Sequence, residues 1–250
     1  MRTTPTLAAL CAIAALSLTA CGSDGSGDKP EKPEKADKTA AASGNGLTEL
    51  TGPQIADKAL KASKAATSFH VTMDGTVDGS PFTSEISSST SAGCVGDMGM
   101  DGGHVKIIKK GDTTYAQYDA AFWKAQGKDG EDAAKLIGDR WTKTKASDPD
   151  TKDLTALCDG EQVLADAVPG AGNAEKGKTT TVDGKPAIIL TEKDGDATYT
   201  LYVATEGKPY ILKAVQKGGE DPGTMVFSDH DKPVKVTAPK AEDVLDLDAA

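Results

Sequence analysis

Aromatic side chains are scarce in this chain: four Phe, five Tyr and two Trp make up 4% of 250 residues. The core is therefore expected to be modest and built from Val, Ile, Leu, Ala and a few Met. Histidine is scarcer still, at His70, His104 and His230 only. None falls in an H-E-x-x-H pattern, and no G-x-S-x-G, P-loop or Rossmann glycine motif accompanies them. Asp97 and Asp101 lack the ligand count of a calcium loop. Catalysis is thus unsupported, and neither a cofactor nor a metal is implied. Clusters of Lys or Arg are missing too, against a formal charge of -10. That excludes a basic nucleic-acid face and docking on anionic lipid through a polybasic patch. Finally, no apolar run reaches the roughly 20 residues that a transmembrane helix needs.

What is present begins at the N-terminus. Arg2 precedes an apolar run from Leu7 to Leu18, broken only by Ser17. A run of that length suits the core of a signal peptide. It ends in Leu18-Thr19-Ala20-Cys21, which looks like a lipobox. Small residues at Thr19 and Ala20 let the backbone enter a peptidase, and the Cys21 thiol is the nucleophile that accepts a diacylglyceryl group. The expectation is an exported bacterial lipoprotein: a signal peptide over 1–20, then a mature chain anchored at Cys21 on the extracytoplasmic face of the cell membrane. Two acyl chains at ~0.8 kcal/mol per buried methylene make such anchoring essentially permanent. Apart from Thr39 and Asn45, residues 22–46 are Gly, Ser, Ala, Lys, Asp, Glu and Pro, with nothing aliphatic larger than Ala before Leu47. They cannot offset chain entropy and are read as a disordered tether.

Cys11 leaves with the signal peptide and Cys21 is the lipidation site, so Cys94 and Cys158 remain as a pair in an oxidising compartment. A disulfide is the natural reading. Two free buried thiols are the competing one, and a zinc site lacks histidine at the right spacing.

From Leu47 onward a single domain, 47–250, is expected. Thr51-Gly52-Pro53 opens a helix in which Ile55, Ala59, Leu60 and Ala66 recur at helical spacing. The period then switches to two. Phe69, Val71, Met73 and Val77 share one strand face, and Phe82, Ser84 and Ile86 continue the alternation. Cys94 to Met100, Val105 to Ile107 and Thr113 to Tyr118 follow, joined by Gly/Asp turns. Asp119 can cap a short helix through Phe122 and Trp123, and Ala133 to Ile137 forms another. Arg140 to Lys143 reads as a short strand. Asp153 is expected to cap one helix running from Leu154 to Val168, stopped by Pro169-Gly170. Six further strands are expected, at Thr179–Val182, Ala187–Thr191, Ala197–Val203, Tyr210–Gln216, Thr224–Phe227 and Val234–Thr237. Segregated helices and strands argue for an α+β class with a large antiparallel sheet of about ten strands, which must curl.

Three stretches carry a family resemblance. They are the helix followed by Ser68-Phe69-His70-Val71; Tyr115 to Trp123 followed by Asp139-Arg140-Trp141-Thr142-Lys143; and the C-terminal run Phe227-Ser228-Asp229-His230-Asp231-Lys232-Pro233-Val234-Lys235-Val236. Over roughly residues 47 to 248 the chain resembles the actinobacterial lipoproteins of the LppX/LprAFG type, whose fold is similar to that of the LolA and LolB carriers. The resemblance implies a half-barrel, a curved sheet wrapped over a few helices with an apolar cavity between. It also implies a lipid or lipoglycan ligand that is carried or presented in the envelope.

Taken together, these readings lead to a non-enzymatic binding domain. Its cavity is expected to be lined by Phe69, Val71, Met73, Phe82, Ile86, Met98, Ile107, Leu201 and Val203, with Phe122 and Trp123 at the cavity mouth. The alternative is an interaction or sensory lipoprotein that docks an envelope protein and holds no internal ligand. A filled core with Phe122 and Trp123 exposed would favour it. His70 is expected on the polar side of its strand, and His104 and His230 in solvated turns.

Overall fold

The computed structural model describes residues 44–100, 102–168 and 172–247. The signal peptide, Cys21, nearly all of the tether, Asp101 and Pro169-Gly170 lie outside the described residues. The chain is already paired at Gly44, which bridges Glu206. Asn45 donates through Nδ2 to the carbonyl of Ala204 at 3.0 Å.

Helix α1 (Gly52–Lys64) starts where Thr51 adopts extended backbone, and the Thr51 N–H donates to Gln54 Oε1 at 3.0 Å. The Gln54 amide thus satisfies one of the donors that a helix start leaves open. Its buried face is Ile55, Ala56, Ala59 and Ser63. Ser63 Oγ accepts from the Ile211 N–H at 3.0 Å, fixing the helix to the sheet.

Five strands then form a meander: β1 (Ser68–Val77), β2 (Ser80–Ser89), β3 (Gly93–Met100), β4 (Gly103–Lys110) and β5 (Thr113–Tyr118). Helices α2 (Ala120–Ala125) and α3 (Gly127–Ile137) lead to β6 (Trp141–Lys145), beside β5. Next come α4 (Pro149–Ala156) and α5 (Gly160–Ala167), and then a second meander. Its strands are β7 (Glu175–Val182), β8 (Lys185–Asp194), β9 (Ala197–Ala204), β10 (Ile211–Lys217) and β11 (Gly223–Ser228). β11 pairs antiparallel with β1, which joins the two meanders into one sheet. A three-residue strand, β12 (Val244–Asp246), adds parallel to β6. The order is β12-β6-β5-β4-β3-β2-β1-β11-β10-β9-β8-β7, a twelve-stranded open curved sheet. The fold class is therefore α+β, as the segregated pattern implied.

Two expectations need correction. The helix expected from Asp153 to Val168 is two helices, with Asp153 inside the first. The break falls at Leu157–Asp159, where the Asp159 carboxylate accepts from the Glu161 N–H at 2.9 Å and starts α5 afresh. No strand forms at Val234–Thr237, where Pro233 and Pro239 remove a donor on either side. The closing strand comes later, at β12.

One face of the sheet packs on α1 and α5. Ile55, Ala56, Val163 and Leu164 meet Val71, Ile86, Ile107, Ile188, Leu190 and Val203, all buried. Register gives this core its layers. Phe227, Val71, Ile86, Gly96 and Ile107 stand in one row across five strands. A Cβ on Gly96 would come within 2.1 Å of Ile86 Cδ1, so the isoleucine fills the space that the glycine leaves. In the next row, Cys94 of β3 is bonded to Cys158 at the α4–α5 joint. Ser88 Oγ donates to the Cys158 carbonyl at 2.8 Å alongside.

Gly93, directly before that cysteine, has φ +104°. A Cβ there would stand 2.1 Å from the Lys109 carbonyl oxygen. Replacing it should combine backbone strain with a clash against a strand that cannot yield. Gly93→Ala is expected to lose at least ~2 kcal/mol in urea unfolding. A loss below ~0.5 kcal/mol would show that the β3–β4 pair gives way locally.

Candidate functional site

A cavity of about 700 Å³ opens between the sheet and α4/α5 at the end where the β1–β2 and β10–β11 turns lie. The row that forms its floor is one step outward from the sealed core. Ala214, Met225, Met73, Ser84 and Met98 are consecutive partners across β10, β11, β1, β2 and β3, and all but Ser84 line the cavity. Phe82 and Met100 flank this row, and Leu154, Leu157 and Ala167 close over it from the helices. Further out, Gly75 pairs with Gly223. Neither carries a side chain, so the inner face is bare there and the cavity reaches solvent. Val77, 49% exposed, stands at the lip.

The nine residues expected to line a cavity are separated by this geometry. Met73, Phe82 and Met98 do line it. Val71, Ile86, Ile107 and Val203 are fully buried in the packed rows behind. Leu201 faces a small adjoining hollow of about 10 Å³ with Ala167 and Tyr199. Phe69 packs on the start of α5, where a Cβ on Gly160 would lie 2.8 Å from its ring. Met100, Met225, Leu154, Leu157, Ala167 and Ala214 line it as well and were not among those nine. The two methionines were the available signal, since they continue the inward phase and are adaptable in shape.

Phe122 and Trp123 lie elsewhere. With Tyr118 they form a cluster whose ring centroids are 4.7 to 5.4 Å apart. Phe122 packs on the core with Tyr118, whose hydroxyl pKa is raised by burial. Trp123 lines a second hollow of about 460 Å³ with His104, Lys106, Asp119 and Asp139. Asp119 caps α2 by accepting from the Phe122 N–H at 2.7 Å, and that bond holds its carboxyl below the usual carboxylate range.

The histidines offer no catalytic grouping. His104 Nδ1 meets Asp97 Oδ1 at 2.8 Å on the surface. His70, half-buried, has Nδ1 3.0 Å from Ser87 Oγ. His230 is not in a solvated turn: it stacks on Tyr210 with centroids 4.1 Å apart. Beside it, Asp229 pairs with Lys232 at 2.6 Å and Asp231 with Lys208 at 2.6 Å. Asp231 also accepts from the Thr67 N–H at 2.9 Å. These carboxylates are committed to the fold, and among the described residues no three His, Cys, Asp or Glu side chains are grouped to hold a metal ion.

Burial, assisted by Lys185, pushes the His230 imidazole down to about 4. The unfolded chain therefore takes up a proton that the folded chain refuses. This contribution to stability is whole above about pH 6.5 and is lost as pH falls toward about 4. His230→Phe, which keeps the stack and removes the titration, should flatten the decline in urea midpoint between those limits. An unchanged slope would mean that other groups set it.

Solved structures with the same arrangement decide what this fold is. LppX, a lipoprotein of Mycobacterium tuberculosis, is similar over 74% of this chain and 97% of its own, at TM-score 0.50 and 17% identity. The chain shares the LppX fold. LprF of Mycobacterium bovis is similar over 75% of this chain and 96% of its own, at TM-score 0.50 and 11% identity. At such identities the likeness to LppX and LprF is one of fold. No protein-family model matches the sequence, and no curated protein matches it by sequence. Among the described residues no helix is long and apolar enough to cross a membrane.

Proposed function

We propose that this chain is a non-enzymatic binding protein, held on the outer face of the cell membrane by lipid on Cys21. It takes an acyl chain or similar apolar group into the cavity between sheet and helices, and carries or presents it in the envelope. The observation that carries this reading is the cavity of about 700 Å³ with a floor of Met73, Met98, Met225 and Ala214. Its size is that of a small-molecule site, and apolar walls with few polar groups are what such ligands need. The LppX fold supports the lipoprotein part of this reading, since LppX itself is a lipoprotein. The alternative, a docking protein with no ligand, called for a filled core with Phe122 and Trp123 exposed, and both are half-buried. The open floor row and the packing of Phe122 count against it.

Native mass spectrometry of protein purified from its own envelope tests the reading. A lipid released at near-stoichiometric amount on organic extraction is the expected result. A clean apo mass that incubation with envelope lipids leaves unchanged would sink it.

A further inference from the structure

The cavity cannot widen where its floor and its helical roof converge. Leu157 closes over the floor, and the next residue, Cys158, is bonded to Cys94 of β3, with Cα atoms 5.6 Å apart. β3 is itself a floor strand, because Met98 and Met100 line the cavity further out along it. Roof and floor are thus one covalent piece at the inner end. The hydrogen bond from Ser88 to the Cys158 carbonyl ties β2 to the same point. α5 is held down as well. Phe69 packs on Gly160 at its first turn, and Val163 and Leu164 are buried in the core with Ile55 and Ala56 of α1. Behind the floor row, Val71, Ile86 and Ile107 are fully buried, so the cavity cannot deepen either.

A space of fixed size limits the number of chains it can take. A methylene occupies about the room of a water molecule in the liquid, ~30 Å³. Filled to the lip, the cavity of about 700 Å³ holds roughly 23 such groups. A palmitoyl chain with its glyceryl carbons brings about 19, whereas two palmitoyl chains on one glycerol bring about 35. Any chain left outside stays in water, at about a fourfold loss of affinity for each methylene. One full-length chain fits, and a second does not.

Resting on the binding reading above, we infer that the ligand is a monoacyl lipid: one long acyl chain on a small polar head, with two-chain lipids excluded by the volume between the β3 floor and the α4 roof.

The test offers the full chain both classes at once, in dilauroylphosphatidylcholine vesicles containing one tenth of palmitoyl-lysophosphatidylcholine, and reads the bound lipid by native mass spectrometry. Both lipids carry the same phosphocholine head, so the carboxylates of Asp78 and Asp221 at the mouth act on them alike. The two-chain lipid brings about 27 chain and glyceryl carbons, just above the capacity of the cavity. One lysolipid per protein is expected, taken at least about tenfold over the two-chain lipid for equal amounts offered. Leu154→Ala with Leu157→Ala removes about six methylene-sized groups from the roof and makes room for that lipid. The preference should then fall below about threefold. Met73→Ala with Met225→Ala enlarges the floor by the same amount and gives the same result if the roof variant does not fold.

Equal uptake of the two lipids by the unaltered protein would overturn the one-chain inference and leave the cavity reading standing. Uptake of neither would overturn both. A preference that the enlarged variants keep in full would trace it to the hold of the bilayer on the two-chain lipid, and would also overturn the inference.

Discussion

A Cys94→Ala, Cys158→Ala double variant should lose on the order of 4 kcal/mol of stability, the chain-entropy value for a bridge closing a loop of 64 residues. Alanine at both positions leaves small apolar side chains, so little of that loss would come from exposed polar groups. The bond joins β3 to the joint between α4 and α5, and α4 supplies Leu154 and Leu157 to the cavity wall. The consequence is local as well as global. Hydrogen exchange in α4 should accelerate more than in α1, which has its own tie through Ser63 to β10. Urea unfolding of both proteins under oxidising conditions gives the total. A loss under ~1 kcal/mol would mean that helix packing and the Ser88 hydrogen bond already hold the joint.

The second large effect concerns the floor row. Met98→Trp places a bigger side chain toward open volume, so the fold should survive while ligand uptake falls at least about tenfold, or ~1.4 kcal/mol. Ile107→Trp is the counterpart one row inward. There the surrounding side chains are closed on every side, and overpacking should cost ~1–3 kcal/mol of stability or more. The pair separates space from packing. If both variants unfold alike, the floor is no roomier than the core. If both fold and bind normally, the cavity is not where the ligand sits.

These two rows also mark where the sequence stops being informative. Alternation identified the inward face of β1 to β5 because each strand has a polar outer face and Gly/Asp turns bound each hairpin. It could not say how far along each strand the helices extend. Phe69, Val71, Met73 and Val77 share one phase, yet they run from a packed contact with Gly160 to an exposed lip. The end of helix cover decides which of them meets a cavity, and that is set by tertiary packing. β7 begins at Glu175, four residues ahead of the expected Thr179: Glu175 to Lys178 has no apolar alternation, and neighbouring β8 supplies the pairing that residue type does not announce. The helix break at Leu157–Asp159 was hidden for a similar reason. Leu154, Leu157, Leu164 and Val168 fit one helical stripe, and the disulfide and the Asp159 cap override it.

The open sheet has two borders, and each is closed to growth by different means. On one, β12 lies parallel on β6 over three residues, pinned by Lys143 and Asp246 at 2.6 Å. On the other, β7 is almost wholly exposed, its register slips between Lys176 and Thr179, and it carries two lysines and a run of threonines. Bent, charged and polar, that border is a poor template for a foreign strand. Under the lipid anchor proposed above, copies would meet edge to edge far more often than in solution, and a sheet finished in this way could be crowded without polymerising.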